Sequence, residues 1–404
     1  MNLVARLACL VGGSMLTALA SAQAQQDPGF NVYTQADVTH ESNVFRLSGE
    51  DEAQQLLGGS ELADTIFRFG AGVTARKAVS RQMLTADAEV YQLNYNNFDF
   101  LNHTAGFANL GWNWLYGDRW LGRIEGGYER KVQDFREARL SQLDVRNENS
   151  VRLTANYMFT RAWRLKFVGL IKEQKHELAV REDLNRQISR GVAEFKYFST
   201  KRSSVGIRTS FTSADFPNRE QVNGDSVDNS YTESENRLTI DWRITPASAV
   251  KGSAGHTVRE YDDLGERDFS GATWELMYSW EPRERYLLEV VAWRGLEAYS
   301  DQVTSYVVES GLSLNGVWKL TPVTTVTATL ASLQRDYDGD PGQVTISGPR
   351  RSDDVISYGV GAEVAVRQNL LINAGLDYEE RDSSSDRWDF DCYTVELGIK
   401  ATFF

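Results

Sequence analysis

Four histidines, a run of aspartates and a late cysteine are the residues here with the most chemistry to offer. His40, His103, His176 and His256 each stand alone, and no His-x-x-x-His spacing brings two imidazoles to one helical face for zinc. His103 follows Asn102, yet no serine stands where that imidazole could activate it, so an enzyme is not expected. Asp336, Asp338 and Asp340 alternate around Gly339 as oxygen ligands do in calcium loops, but the distal bidentate glutamate is missing. A solvated turn is the expectation there, and no metal or cofactor is assigned. Cys9 falls in the N-terminal apolar run, which leaves Cys392 as the one thiol beyond it and rules out a disulfide framework. The remaining chemistry is electrostatic, carried by rows of arginine, lysine and glutamate that need a scaffold to align them.

That scaffold is most legible at the end of the chain. From Tyr393 the apolar residues Tyr393, Val395, Leu397, Ile399, Ala401 and Phe403 alternate with polar or small ones, a period of two carried to the terminus. The chain has 404 residues, 41% hydrophobic, and no glycine-, proline- or serine-rich linker divides it, so a single domain over residues 25–404 is expected. Before it, Arg6 precedes the apolar run Leu7 to Ala20, and Ala22-Gln23-Ala24 offers a small-x-small cleavage site. Residues 1–24 therefore read as a secretory signal peptide. Beyond them no stretch is apolar and long enough to cross a bilayer as a helix. A spanning protein without such helices must close its strands into a barrel.

The same unit recurs along the chain: a strand up, a long acidic loop, a strand down, a tight turn. Eight short turns, at Ala78 to Arg81, Tyr116 to Arg119, Thr160 to Ala162, Ser199 to Arg202, Thr245 to Ser248, Glu281 to Glu284, Leu320 to Val323 and Arg367 to Asn369, separate nine hairpins. The fold class is therefore an all-β, transmembrane, antiparallel up-and-down β-barrel of about 18 strands, within a range of 16–20. An even count places both termini on the periplasmic side of a bacterial outer membrane. Trp112, Trp114, Trp120, Trp163, Trp242, Trp280 and Trp318 all fall near the short turns, where an amphipathic ring suits a membrane interface. An aqueous sandwich core is the alternative, but it gives no reason to gather tryptophans at one end of so many strands.

The opposite face of each strand would line a water-filled lumen. It presents a basic wall of Arg152, Arg164, Lys166, Lys172, Arg190, Lys196, Arg208, Arg237, Arg243, Lys251 and Arg259, against only Glu194 and Asp241. Later strands present an acidic wall of Glu275, Glu289, Glu309, Glu363, Asp377, Glu379 and Glu396, with Lys400 the lone base. The two walls would set up a transverse field that orients charged solutes; the alternative is charge pairing across the lumen for stability alone. Tyr91, Phe107 and Trp293 are candidate inward aromatics for stacking sugar rings, and Thr212 to Glu235 is the longest candidate for an inward constriction. A net charge of -13 argues against nucleic acid as a partner.

Two resemblances sharpen this reading. Glu396-x-Gly398-x-x-Ala401-x-Phe403 resembles the C-terminal signal by which outer-membrane barrels are handed to their insertion machinery, departing from it by the extra Phe404. His40-Glu41-Ser42-Asn43-Val44-Phe45-Arg46-Leu47, right after the first strand, resembles the EpsL-type exopolysaccharide biosynthesis transporters associated with exosortase systems. That resemblance implies export of a secreted, biofilm-type polysaccharide through the outer membrane of a Gram-negative bacterium, with a periplasmic polysaccharide-export protein as partner. It supplies no catalytic residues. A closed barrel that retains polysaccharide like a surface lectin, and a general or sugar-uptake porin, are the alternatives.

Overall fold

The computed structural model describes residues 29–136, 140–222, 225–263, 265–298, 306–338 and 350–403. The expected signal peptide, Asp340 and Phe404 lie outside them. The strands are β1 (Gly29–Glu41), β2 (Asp64–Val79), β3 (Gln82–Tyr95), β4 (His103–Tyr116), β5 (Trp120–Val132), β6 (Val145–Met158) and β7 (Trp163–His176). Next come β8 (Arg186–Phe198), β9 (Ser204–Asp215), the short β10 (Glu220–Val222) and β11 (Asp225–Val227), β12 (Tyr231–Thr245) and β13 (Ser248–Tyr261). The series ends with β14 (Phe269–Arg283), β15 (Tyr286–Ala298), β16 (Tyr306–Thr321), β17 (Thr324–Asp338), β18 (Ser352–Arg367), β19 (Leu370–Ser383) and β20 (Phe390–Phe403). Among the described residues an α-helix, α1 (Glu50–Leu57), lies between β1 and β2.

All but β10 and β11 join one 18-stranded antiparallel sheet in which each strand pairs with its chain neighbour, β9 pairing with β12. The sheet closes where β20 meets β1, with Val32 opposite Phe403 and Glu41 opposite Thr394. Closure leaves no free edge, so every strand finds both its ladders, as a bilayer requires. The eight expected turns are all present, each joining two strands at the end where both described termini lie.

Alternation sets the two faces. On the outside, Phe69, Leu110, Ile171, Ile207, Leu238, Leu330 and Leu397 are exposed, as lipid-facing residues of a barrel should be. Trp112, Trp120, Trp163, Trp242, Trp280 and Trp318 are exposed on this same face beside the short turns, forming an aromatic girdle. Most residues of the other parity are buried or half-buried, though Arg243, Lys251 and Asp377 among them are exposed. Two aromatic rings on the inner face lie flat because glycine admits them: a Cβ at Gly72 would sit 2.3 Å from Tyr33 Cζ, and one at Gly311 would sit 2.4 Å from Trp293 Cζ2. The main apolar core is not in the middle of the barrel but at its mouth, away from the short turns.

Candidate functional site: the lumen and its mouth

One arc of the mouth is covered by a cork built from three loops. Val44, Phe45 and Leu47 from the β1–β2 loop, Ala53 of α1, Phe98 and Leu101 from the β3–β4 loop, and Phe135 from the β5–β6 loop bury against Ile66 and Tyr95 on the inner wall. Phe45 is the hub, with ring centroids 4.9 Å from Phe98 and 4.7 Å from Phe135. Asn43 brackets the turn that delivers Phe45: its Oδ1 accepts the Leu47 N–H at 3.0 Å and its Nδ2 donates to the Leu47 carbonyl at 2.8 Å. Arg46, held at a positive φ of 56°, reaches Glu41 at 3.1 Å. The octapeptide His40 to Leu47 is therefore the folded centre of the cork.

Asp64, 1% exposed, shapes the second loop. Its Oδ1 accepts backbone N–H groups from Thr65 (2.6 Å), Asn96 (2.9 Å) and Asn97 (3.0 Å), and its Oδ2 accepts that of Phe98 (2.9 Å). The third loop is latched across the mouth. Arg136 donates from Nε to Glu379 Oε2 on β19 at 2.9 Å, and its carbonyl accepts from Arg381 Nη1 at 3.0 Å. Five strands, β20 and β1 to β4, separate β19 from β5 around the ring, so the cork covers that arc. None of these roles was visible in the strand pattern; the readable signal was a set of phenylalanines and leucines in otherwise polar loops.

The segment from Thr212 to Glu235, the longest candidate for an inward constriction, is described except for residues 223–224. Most of it is strand: the ends of β9 and β12 and the small β10–β11 hairpin. Phe216 buries against the inward-facing Ala214 and Tyr231, with Ile188 and Tyr261 packed beside them. Arg219 pairs within the segment, 3.2 Å from Asp228, and also lies 3.6 Å from Asp263, while Asn218 donates to the Glu182 carbonyl at 2.8 Å.

The ten basic residues Arg152, Arg164, Lys166, Arg190, Lys196, Arg208, Arg237, Arg243, Lys251 and Arg259 share the inner face. Cross-strand partners point the same way, and Arg164 faces Lys196, Lys166 faces Glu194, Glu194 faces Arg208, and Arg208 faces Arg237. The wall is more neutralised than expected, because β12 begins at Tyr231 and carries Glu233 and Glu235 inward. Arg190 pairs with Glu235 at 3.2 Å, Arg237 donates to Glu235 at 2.6 Å, and Arg259 pairs with Glu233 at 2.7 Å. Lys172 pairs with Glu148 on β6 at 2.8 Å. Among the described residues, Arg152, Arg164, Lys166, Arg243 and Lys251 have no carboxylate within ion-pair distance, and they form the free part of the arc.

Glu275 on β14, Glu289 on β15, Glu363 on β18, Asp377 and Glu379 on β19 and Glu396 on β20 also lie on the inner face. Lys400 is not the lone base among them. Arg335 on β17 pairs with Glu309 at 3.1 Å, and Arg381 lies 3.7 Å from Asp353. Glu379 is held by Arg136, and Glu396 accepts from Asn373 Nδ2 at 3.1 Å. Glu275, Glu289, Glu363 and Asp377 form no ion pair among the described residues. β18 stands nine strands from β7 in the ring of eighteen, so Glu363 lies on the wall across from Arg164 and Lys166.

Of the aromatic candidates, Tyr91 faces inward beneath the Arg68 guanidinium, 4.2 Å from its ring centroid, and Phe107 faces inward half-buried. Trp293 is only 2% exposed: it packs with Val291, Leu333 and Val355 and donates from Nε1 to Glu309 at 2.9 Å. It is a wall-packing residue and offers no free face for a sugar. Asp336 and Asp338 are each engaged separately. Asp336 accepts from Ser352 Oγ at 3.1 Å, Asp338 pairs with Arg350, and no metal-ligating cluster of three occurs among the described residues.

At the short-turn end of the basic arc, a recess of about 230 Å³ is lined by Asn156, Arg164, Lys166, Glu194, Lys196, Phe198, Ser204 and Asp241. It is the point where free cations, acceptor groups and open volume meet.

No protein-family model and no curated protein matches the chain. Solved structures match it in shape. The outer membrane protein opdK from Pseudomonas aeruginosa superposes with a TM-score of 0.52 at 9% identity, covering 93% of this chain and 99% of that one. OpdK of the same organism with vanillate gives 0.51 at 9% identity, over 93% and 99% of the two chains. Pseudomonas aeruginosa OccK2 (OpdF) in complex with glucuronate gives 0.51 at 9% identity, over 94% and 100%. The class defined by fold is thus the closed 18-stranded barrel of outer-membrane proteins, and at such identity the likeness is one of fold alone.

Proposed function

We propose that this chain is a passive outer-membrane channel for small charged or polar solutes, sorted by the transverse field of its lumen. The observation that carries the reading is the charge separation: free Arg152, Arg164 and Lys166 on one wall, and unpaired Glu363 and Asp377 on the strands across from it. Fixed charges of opposite sign on facing walls orient a dipolar or ionic solute, and weak contacts let it leave again.

The cork favours small solutes over a polymer. Export of a polysaccharide, which the octapeptide resemblance implies, would need the cork to leave the mouth, since that octapeptide is its centre. Liposome swelling with the refolded mature barrel tests the reading. Swelling in monosaccharides and small carboxylates, falling with solute size, is the expected result. Absence of swelling and of ionic conductance until the cork is deleted would overturn it, and would move the weight to a conduit opened by a periplasmic export partner. Polymer binding to an electrically silent barrel, with the cork removed as well, would instead favour a surface lectin.

A further inference from the structure

Resting on the channel reading above, we propose that the recess at the short-turn end of the basic arc is a saturable site for one polyhydroxylated carboxylate, a sugar acid. Its charges are arranged for an incoming anion. Glu194, 5% exposed, is already engaged by Lys196 at 3.2 Å, Arg208 at 3.5 Å and the Thr239 hydroxyl at 3.1 Å. That carboxylate holds Lys196 against the wall and leaves Arg164 and Lys166 unneutralised. Arg164 is positioned without a counter-ion: its guanidinium lies 4.5 Å over the Phe198 ring, and its buried Nε has no hydrogen-bond partner. A planar fork held this way is suited to a bidentate carboxylate, with the Lys166 ammonium as the second contact.

The rest of the lining selects what the carboxylate is attached to. Asp241 accepts hydroxyl hydrogens, while Asn156 and Ser204 can donate or accept. A bare inorganic anion could use only the Asn156 and Ser204 donors and would leave Asp241 facing it unpaired; a sugar acid also offers Asp241 its hydroxyl hydrogens. The volume of about 230 Å³ lies below the ~300 Å³ at which drug-sized pockets begin, so it fits one small ring rather than a polymer segment.

The test is calorimetric titration of the refolded mature barrel in detergent with galacturonate, galactose and sulfate, paired with single-channel recording in potassium chloride. Galacturonate is expected to bind saturably, at least tenfold tighter than galactose or sulfate, and to interrupt the current. Lys166→Gln and Arg164→Gln should each weaken it at least tenfold, and Asp241→Asn should weaken galacturonate while strengthening sulfate. Arg161→Gln, on the exposed turn, should change nothing. Equal binding of galactose or sulfate, or undiminished galacturonate binding in both cation variants, would overturn the proposal. If a variant fails to fold, the three-ligand comparison on the unaltered barrel decides alone. A barrel that binds but never conducts would refute the channel reading and leave the site standing.

Discussion

Arg136, on the loop after β5, donates to Glu379 on β19 across 243 residues of sequence and five intervening strands. Both side chains are under a tenth exposed. This pair, together with Phe135 in the cork, is what commits the β5–β6 loop to the mouth of the barrel rather than to solvent.

Neutralising one partner should release that loop. Removing half of a buried ion pair costs ~3–5 kcal/mol when it leaves the other charge uncompensated, and less here because Arg136 keeps Asp134 at 3.0 Å. For Glu379→Gln we therefore expect the undocked fraction to rise ~10-fold, about 1.4 kcal/mol. Single-channel recordings should show larger, noisier conductance, and Arg136→Met with Glu379→Leu should restore quiet current by replacing charge with apolar contact. Unchanged conductance in Glu379→Gln would mean the latch does not limit the pore.

The latch should also loosen in acid. Asp134, on the same loop and outside the strands, accepts the Arg136 backbone N–H at 2.9 Å and its Nη1 at 3.0 Å. Burial works to raise its pKa, but the Arg136 guanidinium and backbone N–H outweigh it, and the carboxyl titrates below its usual range. A depressed folded value means this stabilisation is complete above the ordinary carboxylate pKa of about 4 and is lost as pH falls through the folded value. Conductance noise should be flat from about pH 8 to pH 5 and rise below about pH 4. Asp134→Asn should show raised noise already at neutral pH and a smaller acid response; an unaltered acid response would assign it to other groups.

Asp64→Ala should be the most damaging single change in the cork. Four backbone N–H groups lose their acceptor, and hydrogen bonds to a charged group contribute ~1.5–3 kcal/mol each when they can be separated. Even with water replacing some of them, a loss of ~3 kcal/mol is expected. Thermal unfolding followed by heat-modifiable gel mobility measures it. Proteolysis should then cut near Asn96 to Phe98 in the variant first, and equal protection of that loop would refute the assignment.

The strands and turns were legible because lipid outside and water inside impose a strict alternation, and each tight turn breaks it. The inward set was legible for the same reason, so Arg164, Lys166 and Glu363 could be placed by parity alone. What parity could not give was which charges are consumed. Glu233 and Glu235 lie on an extension of β12 that reads like an acidic loop, yet they neutralise Arg259, Arg190 and Arg237. Nor could it identify the cork, because a loop's fate turns on a few apolar residues finding a buried surface made by distant strands. Trp293 looked like a stacking residue by parity, and only Gly311 beside it shows why the ring lies flat against the wall.

Gly398 separates two readings of the C-terminal pattern. Glu396, Gly398, Ala401 and Phe403 were read as an insertion signal, and in the barrel Gly398 also pairs with Asp37 on β1 and Asn373 on β19 at the closing seam. A Cβ there would sit 2.2 Å from Asp37 Oδ1 and 2.5 Å from Asn373 Oδ1. Asp37 could not yield freely, because Arg68 donates to it at 2.8 Å and Gln35 at 3.0 Å. Gly398→Ala should therefore destabilise the refolded barrel by ~1–3 kcal/mol, the usual cost of overpacking. Asn373→Ala in the same chain should recover part of that loss by opening space. A seam role predicts the deficit in vitro, where no insertion machinery is present, and the partial rescue. If the refolded variant is as stable as the parent and only assembly in cells falls, the crowding argument fails and Gly398 is needed for recognition instead.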